Sequence, residues 1–191
     1  LRATKDLLRL ADHLRMNAAL DEINNWIEKL TKGSAWLWNE TVGGFCARDM
    51  RTGKFSDGIT NASMLCFYAH VGDNLQREKM ATHCERILKK CKYAFPSWDP
   101  EHKCFNKIRY WRGPVWLIMN YMIEKGLNEM GYDKLARRIA DDSKKLVNTA
   151  GMAEYFDPIE GSPLGGANFS WTAAIYLEMN SVDISKNIME N

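Results

Sequence analysis

The sequence predicts an all-α fold in which helical hairpins are arranged as a toroid, with about half of the ring present. Two observations support this prediction. Segments that are apolar on nearly every face alternate with segments that are apolar on one face, as expected for buried and surface helices. The buried segments begin at Gly58, Pro114 and Phe169, which are 56 and 55 residues apart. Since a helix pair that recurs at this spacing is an internal repeat, residues 1–191 are predicted to be part of a single domain.

The composition is that of a globular protein and argues against several classes of function. Of the 191 residues, 46% are hydrophobic and 26% are charged, and the net charge of +2 gives no electrostatic argument for binding nucleic acid. No apolar run reaches the ~18 residues of a membrane span. The five cysteines show neither paired nor metal-binding spacing, so we expect reduced thiols, a cytoplasmic location and no metal site.

The beginning of the chain predicts two helices and a hairpin. Leu7, Leu10 and Leu14 mark a helix that begins near or before residue 1. A second, amphipathic helix follows, and Gly33 is expected to end it. Two glycine-containing turns within residues 34–57 predict a β-like hairpin or an irregular loop.

The rest of the chain repeats a buried helix, a tight turn, an amphipathic helix and a long loop. The buried helices are predicted at residues 58–71, 114–130 and 169–179, and the amphipathic helices at residues 74–91 and 133–147. Pro114 is expected at the first position of its helix, and Asp133 is expected to be an N-cap. Because each long loop precedes a buried helix, all long loops are expected at one end of the domain.

Two architectures are compatible with this repeat. In an open α-solenoid each helix pair contacts only its neighbours, whereas in a closed toroid one helix of each pair lines the inside. The contrast between fully apolar and one-faced helices favours the toroid. A ring of six hairpins requires about twice this chain. We therefore expect the other half upstream or in a second copy, and an exposed apolar face without it.

Two loops combine aromatic and charged residues with an apolar segment that follows. YWRGPVW occupies residues 110–116, and GMAEYFDPIEG occupies residues 151–161, before the apolar segment at Phe169. A polar, aromatic loop held by a buried helix is a common way to form a pocket of the size of a sugar. We therefore expect these two loops to form the functional site.

The same residues resemble a known enzyme family. WRGPVW at Trp111–Trp116, the loop G-x-x-EYFDP-x-x-G at Gly151–Gly161 and FSWTAA at Phe169–Ala174 resemble the C-terminal half of family 63 glycoside hydrolases. LWNE and GGF within residues 37–45, and RTGK at Arg51–Lys54, are also similar to that family, so the resemblance covers residues 34–177. The nearest branch is the bacterial and archaeal one that includes mannosylglycerate hydrolase.

Family 63 enzymes are (α/α)6-barrel inverting glycosidases related to trehalases. The resemblance implies that residues 1–191 are the C-terminal part of one (α/α)6 catalytic barrel, with Glu154 of EYF as the general base. An inverting glycosidase also needs a carboxylic acid about 6.5–9.5 Å from the base. In the family this acid is an aspartate in the first half of the barrel, and Asp49, Asp57 and Asp99 lie outside its motif. The chain alone is therefore expected to be inactive or nearly so.

The implied substrate is a small α-linked mannosyl or glucosyl compound, and the chemistry requires no cofactor. Tyr110 and Trp111 are expected at the barrel mouth in contact with the sugar, and Trp116 and Tyr155 are further substrate-binding candidates. Arg112 is expected either to bind a substrate carboxylate or to form an ion pair with a loop acid. Two alternatives stay open, a trehalase- or debranching-type α-glucosidase and a non-catalytic α-helical scaffold.

Overall fold

The computed structural model describes the backbone of residues 1–189 and the side chains of residues 1–181. The described residues form seven α-helices: α1 Arg2–His13, α2 Asn17–Ala35, α3 Asn61–Ala69, α4 Asn74–Lys90, α5 Leu117–Glu129, α6 Asp133–Ala150 and α7 Ser170–Met189. They also form two short antiparallel hairpins, in which β1 Trp38–Asn39 pairs with β2 Gly44–Phe45 and β3 Tyr155–Phe156 pairs with β4 Pro163–Leu164.

The helices from α3 onward lie in two rows. Helices α3, α5 and α7 pack side by side, and α4 and α6 pack behind them. The front helices begin at Asn61, Leu117 and Ser170, which are 56 and 53 residues apart, so the predicted repeat is confirmed. Helices α4 and α6 each bury one face, which in α4 carries Met80, Cys84 and Ile87.

The long loops meet at one end of the molecule, as predicted. The backbone N–H of Asn61, at the start of α3, donates to the Ser97 carbonyl at 3.3 Å, and the N–H of Ser97 donates to the Pro114 carbonyl at 3.0 Å. At the start of α7, the N–H of Phe169 donates to the Met152 carbonyl at 2.8 Å. The first bond links the start of α3 to the segment before α5, and the pairing of Val115 with Phe156 links that segment to the loop before α7. Side chains from distant loops therefore lie near one another.

Helices α3 and α5 approach closely because α5 contains a glycine at the crossing. A Cβ at Gly126 would lie 2.2 Å from the backbone nitrogen of Tyr68 and 2.4 Å from the carbonyl carbon of Phe67. Only a residue without a side chain fits such a contact between two backbones. The main hydrophobic core surrounds it and includes Phe67 and Ile123, both fully buried.

Three predicted helix boundaries are wrong. Helix α2 continues through Gly33 to Ala35, because a single helical glycine costs only about 1 kcal/mol. Pro114 precedes its helix, which begins at Leu117, because Val115 is paired in extended conformation with Phe156 of a distant loop. Asp133 is the first residue of α6 and not its N-cap, and it makes no capping hydrogen bond; its charge still suits the positive end of the helix.

Apolar side chains are exposed at both edges of the helical array. On α7, Trp171 is 58% exposed and Leu177 is 68% exposed, so the prediction that this helix is buried on every face is wrong within this chain. Leu10 on α1 is 53% exposed, and Leu14, directly after α1, is 56% exposed. Side chains of this kind are normally covered. No helix within the described residues is both long and apolar enough to cross a bilayer.

Candidate active site

Glu154 lies at the edge of the β3–β4 hairpin with a hydrogen-bond donor at each carboxylate oxygen. Its backbone N–H donates to the Gly166 carbonyl at 2.9 Å, so the two segments stay in contact beyond β3 and β4. The N–H of Gly166 donates in return to Oε2 at 3.2 Å, and the Tyr110 hydroxyl donates to Oε1 at 3.4 Å. The two contacts hold the orientation of the carboxylate. The side chain is partly exposed, so a small molecule can reach it.

A pair of backbone hydrogen bonds joins the two predicted loops. The N–H of Val115 donates to the Phe156 carbonyl at 2.7 Å, and the N–H of Phe156 donates to the Val115 carbonyl at 3.0 Å. Both residues are completely buried. Because this bridge lies close along the chain to both Tyr110 and Glu154, it fixes the register in which the tyrosine faces the carboxylate.

Three aromatic rings form a stack beside Glu154. Trp111 and Trp116 lie parallel, with ring centroids 4.1 Å apart and an interplanar angle of 6°, and Trp116 and Tyr155 are 4.9 Å apart at 24°. Tyr110 meets the middle ring edge-on at 4.9 Å and 87°. We call Trp111, Trp116 and Tyr155 the aromatic stack. Such flat apolar rings suit the apolar face of a sugar.

The aromatic stack changes the role predicted for Trp116. Its ring is only 2% exposed and lies between the other two rings, whereas Trp111 is 42% exposed. The predicted direct contact of Trp116 with substrate is therefore not available here, because the ring is covered on both faces. It supports Trp111 and Tyr155, and its Nε1 donates to the Tyr110 carbonyl at 3.3 Å.

Tyr110 is held in an unusual backbone conformation. Its φ of +35° lies in the region that side-chain-bearing residues rarely adopt, and such strain is often found at functional sites. The side chain is 49% exposed. Partial burial, followed by the negative charge of Glu154, raises the pKa of the Tyr110 hydroxyl, so the hydroxyl stays protonated and remains a donor.

The Arg112 guanidinium binds a backbone carbonyl. Its Nε donates to the backbone carbonyl of Cys104 at 3.0 Å. Among the salt bridges of residues 1–181, none involves Arg112, so the alternative of an ion pair with a loop acid is wrong. The loop acids Asp157 and Glu160 bind Lys107 instead, at 3.2 and 3.3 Å. The other prediction for Arg112, contact with a substrate carboxylate, stays a prediction.

Two buried polar residues that support the site were not predicted. Asn120 on α5 is fully buried; its Oδ1 accepts from the Phe95 N–H at 2.8 Å, and its Nδ2 donates to the carbonyls of Phe95 and Trp116 at 2.9 and 3.0 Å. Ser97 Oγ accepts from the Gly113 N–H at 2.8 Å. An asparagine inside an otherwise apolar helix is the only sequence signal that points to such a role.

The three aspartates considered as the second carboxylate have structural partners. Asp49 accepts from the N–H of Arg51 in its own turn. Hydrogen bonding to His102 is the largest influence that lowers the pKa of Asp57. Burial is the largest influence on Asp99 and acts to raise its pKa. The hydrogen bonds from Arg86 and from the Glu101 N–H, with the charge of Arg86, together outweigh it, and the pKa is lowered. A general acid needs a raised pKa, so neither Asp57 nor Asp99 suits that role.

The described residues also contain no cluster of three or more His, Cys, Asp or Glu arranged to hold a metal ion. The site that the two loops form is therefore one carboxylate, one tyrosine hydroxyl and an aromatic stack. A carboxylate is a group that can accept a proton, and the flat rings offer a surface for a neutral ring.

Comparison with known proteins identifies the family. Residues 1–172 match the family model of the mannosylglycerate hydrolase MGH1-like glycoside hydrolase domain. Over 176 residues the chain is 38% identical to mannosylglycerate hydrolase MGH2 of Selaginella moellendorffii, an alignment that covers 92% of this chain and 36% of that protein.

Solved structures agree with this result. The family 63 mannosylglycerate hydrolase from Thermus thermophilus, solved with glucose, matches with a TM-score of 0.87 and 34% identity over 93% of this chain and 45% of that one. Neutral trehalase Nth1 from Saccharomyces cerevisiae, at 21% identity and a TM-score of 0.61, shares the fold. The predicted (α/α)6-barrel architecture, with part of the ring in this chain, is thus confirmed. The chain belongs to the MGH1-like glycoside hydrolase family.

Proposed function

We propose that this chain is the general-base half of an inverting α-glycoside hydrolase that acts on small α-linked mannosyl or glucosyl compounds. The main support for the proposal is the Glu154 carboxylate, which accepts a hydrogen bond at each oxygen and lies beside the aromatic stack. The names of the relatives support a substrate of the mannosylglycerate type.

The chemistry assigns one proton transfer to Glu154. A water molecule attacks the anomeric carbon from the face opposite the leaving oxygen, and Glu154 removes a proton from that water as the new C–O bond forms. The glycosidic bond breaks, and its electron pair goes to the leaving oxygen, which takes a proton from a carboxylic acid. Trp111 and Tyr155 contact the sugar ring, and the protonated Tyr110 hydroxyl orients the carboxylate.

The carboxylic acid comes from outside this chain in our proposal. Asp57 and Asp99 have lowered pKa values, and the chain spans only between 36% and 45% of the length of the relatives above. An upstream half that closes the ring against α7 and α1 would bring the acid to the opposite face of the sugar. A second copy of this chain is the other candidate for covering these edges.

A sugar-release assay tests the proposal. The polypeptide encoded by the full reading frame that contains this chain is incubated with α-mannosylglycerate, α-glucosylglycerate and trehalose, and the matched variant Glu154→Gln is assayed beside it. We expect release from the first or second compound and a loss of kcat of at least about 10²-fold in the variant. Release from trehalose alone would favour the trehalase-type alternative. If no sugar is released from any α-glycoside, the non-catalytic scaffold is the alternative that stands.

A further inference from the structure

The Glu154 carboxylate rests against two glycines, Gly165 and Gly166, that follow β4. The backbone of Gly166 is bonded twice to Glu154, once through each of its polar groups. Gly165 has a φ of +72°, and a Cβ there would lie 2.5 Å from Oε2 and 2.8 Å from the Cβ of Glu154. These distances are shorter than any real Cβ contact, so the carboxylate occupies the space that a side chain would need.

We propose that Gly165 and Gly166 are positioning residues that select which carboxylate oxygen receives the proton. The proposal rests on the proposed role of Glu154 as the base. Gly165 lets Oε2 lie against the backbone, where the Gly166 N–H holds it, and this leaves Oε1 on the open side beside the Tyr110 hydroxyl. Water is then activated by Oε1, with Oε2 as the anchored oxygen.

The two glycines are predicted to differ in their tolerance of a methyl group. A Cβ at Gly166 would find only Oε2, at 4.0 Å, which is an ordinary contact, and alanine keeps the N–H. A Cβ at Gly165 would also lie 2.7 Å from Cε1 of Tyr155. Both the carboxylate and one ring of the aromatic stack must therefore move in Gly165→Ala.

Steady-state kinetics of the full polypeptide test this asymmetry. Gly165→Ala is expected to lower kcat by about 10²-fold, the loss typical of a 1 Å misplacement, with KM within about threefold, and Gly166→Ala to lose less than about tenfold. Gly131→Ala is the control for backbone strain, since its φ is +81° and nothing lies within 4 Å of its Cβ; it should keep wild-type kcat. Equal losses at Gly165 and Gly131 would overturn the proposal.

Rescue of activity by azide distinguishes a loss of carboxylate positioning from damage to the loop. In Glu154→Ala, azide can attack the anomeric carbon and form a glycosyl azide without a base, so the rescued rate does not depend on the orientation of a carboxylate. We expect Glu154→Ala and Glu154→Ala/Gly165→Ala to show the same azide-rescued rate. A further loss in the double variant would mean that Gly165 acts through the Tyr155 ring or the fold and not through the carboxylate, which would overturn the proposal. If the positive φ prevents the alanine variant from folding, Gly165→Asn, which tolerates positive φ better and brings the same Cβ, provides the comparison.

These outcomes are distinct from failure of the proposed function. If the wild-type polypeptide releases no sugar, or Glu154→Gln keeps full activity, the assignment of the base is wrong. If the wild-type is active, Glu154→Gln is inactive and Gly165→Ala is unchanged, the assignment of the base stands and the positioning role is wrong.

Discussion

At the scale of single residues, Asn120 shows how a buried polar group holds a loop at the candidate site. Its amide satisfies both backbone polar groups of Phe95 as well as the carbonyl of Trp116. Because these groups are buried, each one left without a partner costs about 1–3 kcal/mol. Asn120 therefore fixes the loop between α4 and α5 against the helix that carries the site.

We expect Asn120→Ala to lower the free energy of unfolding by about 2–4 kcal/mol, because the buried N–H and carbonyl of Phe95 both lose their partner. Urea denaturation measures this change. Asn128→Ala on the same helix is the matched control, since its side chain is exposed; it should change stability by less than about 0.5 kcal/mol. Similar effects of the two substitutions would show that the Asn120 contacts do not matter.

At the scale of elements, the crossing of α3 and α5 depends on Gly126. Gly126→Ala is expected to destabilise the protein by about 1–3 kcal/mol or more, because the added methyl meets backbone atoms that cannot move alone. Gly33→Ala in α2 should have the opposite sign, with a gain of up to about 1 kcal/mol, because it is helical and has open space around it. A gain in both variants would contradict the close crossing.

The same elements show what sequence patterns can and cannot predict. The helices were predictable because their apolar periodicity is local. The two loops rich in aromatic and charged residues indicated Tyr110 and Trp111, and the family resemblance of the EYF motif indicated Glu154. The pairing of Val115 with Phe156 was not predictable, since it joins residues 41 positions apart with no local pattern. That pairing displaced the start of α5 from Pro114 and placed Trp116 inside the aromatic stack.

At the scale of the whole molecule, one ion cluster ties α1 to the ends of α3 and α5. Arg2 binds Glu129 through both terminal nitrogens, at 2.5 and 3.0 Å, and His70 contacts the same carboxylate at 2.7 Å. The hydrogen bond from Arg2 has the largest influence on the pKa of Glu129. Together with the hydrogen bond from His70 it lowers this pKa from an ordinary 4.5 to about 2, although partial burial acts to raise it.

This cluster predicts that the stability of the fold depends on pH. Because the folded pKa of Glu129 is depressed, its contribution to stability is present above about pH 4.5 and is lost as the pH falls towards 2. Glu129→Gln should weaken the loss of thermal stability across that range. The control Glu28→Gln removes an exposed pair with Lys32 and should leave the pH profile unchanged. If Glu129→Gln has the same profile as the wild type, the cluster does not stabilise the fold.

The exposed edges predict association of this chain when it is expressed alone. Leu177, on the apolar face of α7, is 68% exposed. Leu177→Glu places a charge on this face and should shift the 191-residue chain towards monomer in analytical ultracentrifugation. Leu75→Glu is the matched control, since Leu75 is 62% exposed on α4, away from both edges. A stable wild-type monomer at all concentrations would contradict the interpretation of these edges.

The central claim is that Glu154 activates water for an inverting reaction. The most direct test is proton NMR of the first sugar that the full polypeptide releases from α-mannosylglycerate, recorded before mutarotation, with Glu154→Gln as the control. We expect β-mannose to appear first and the variant to release none. Initial release of α-mannose, or the same rate of β-mannose release from the variant, would contradict the claim.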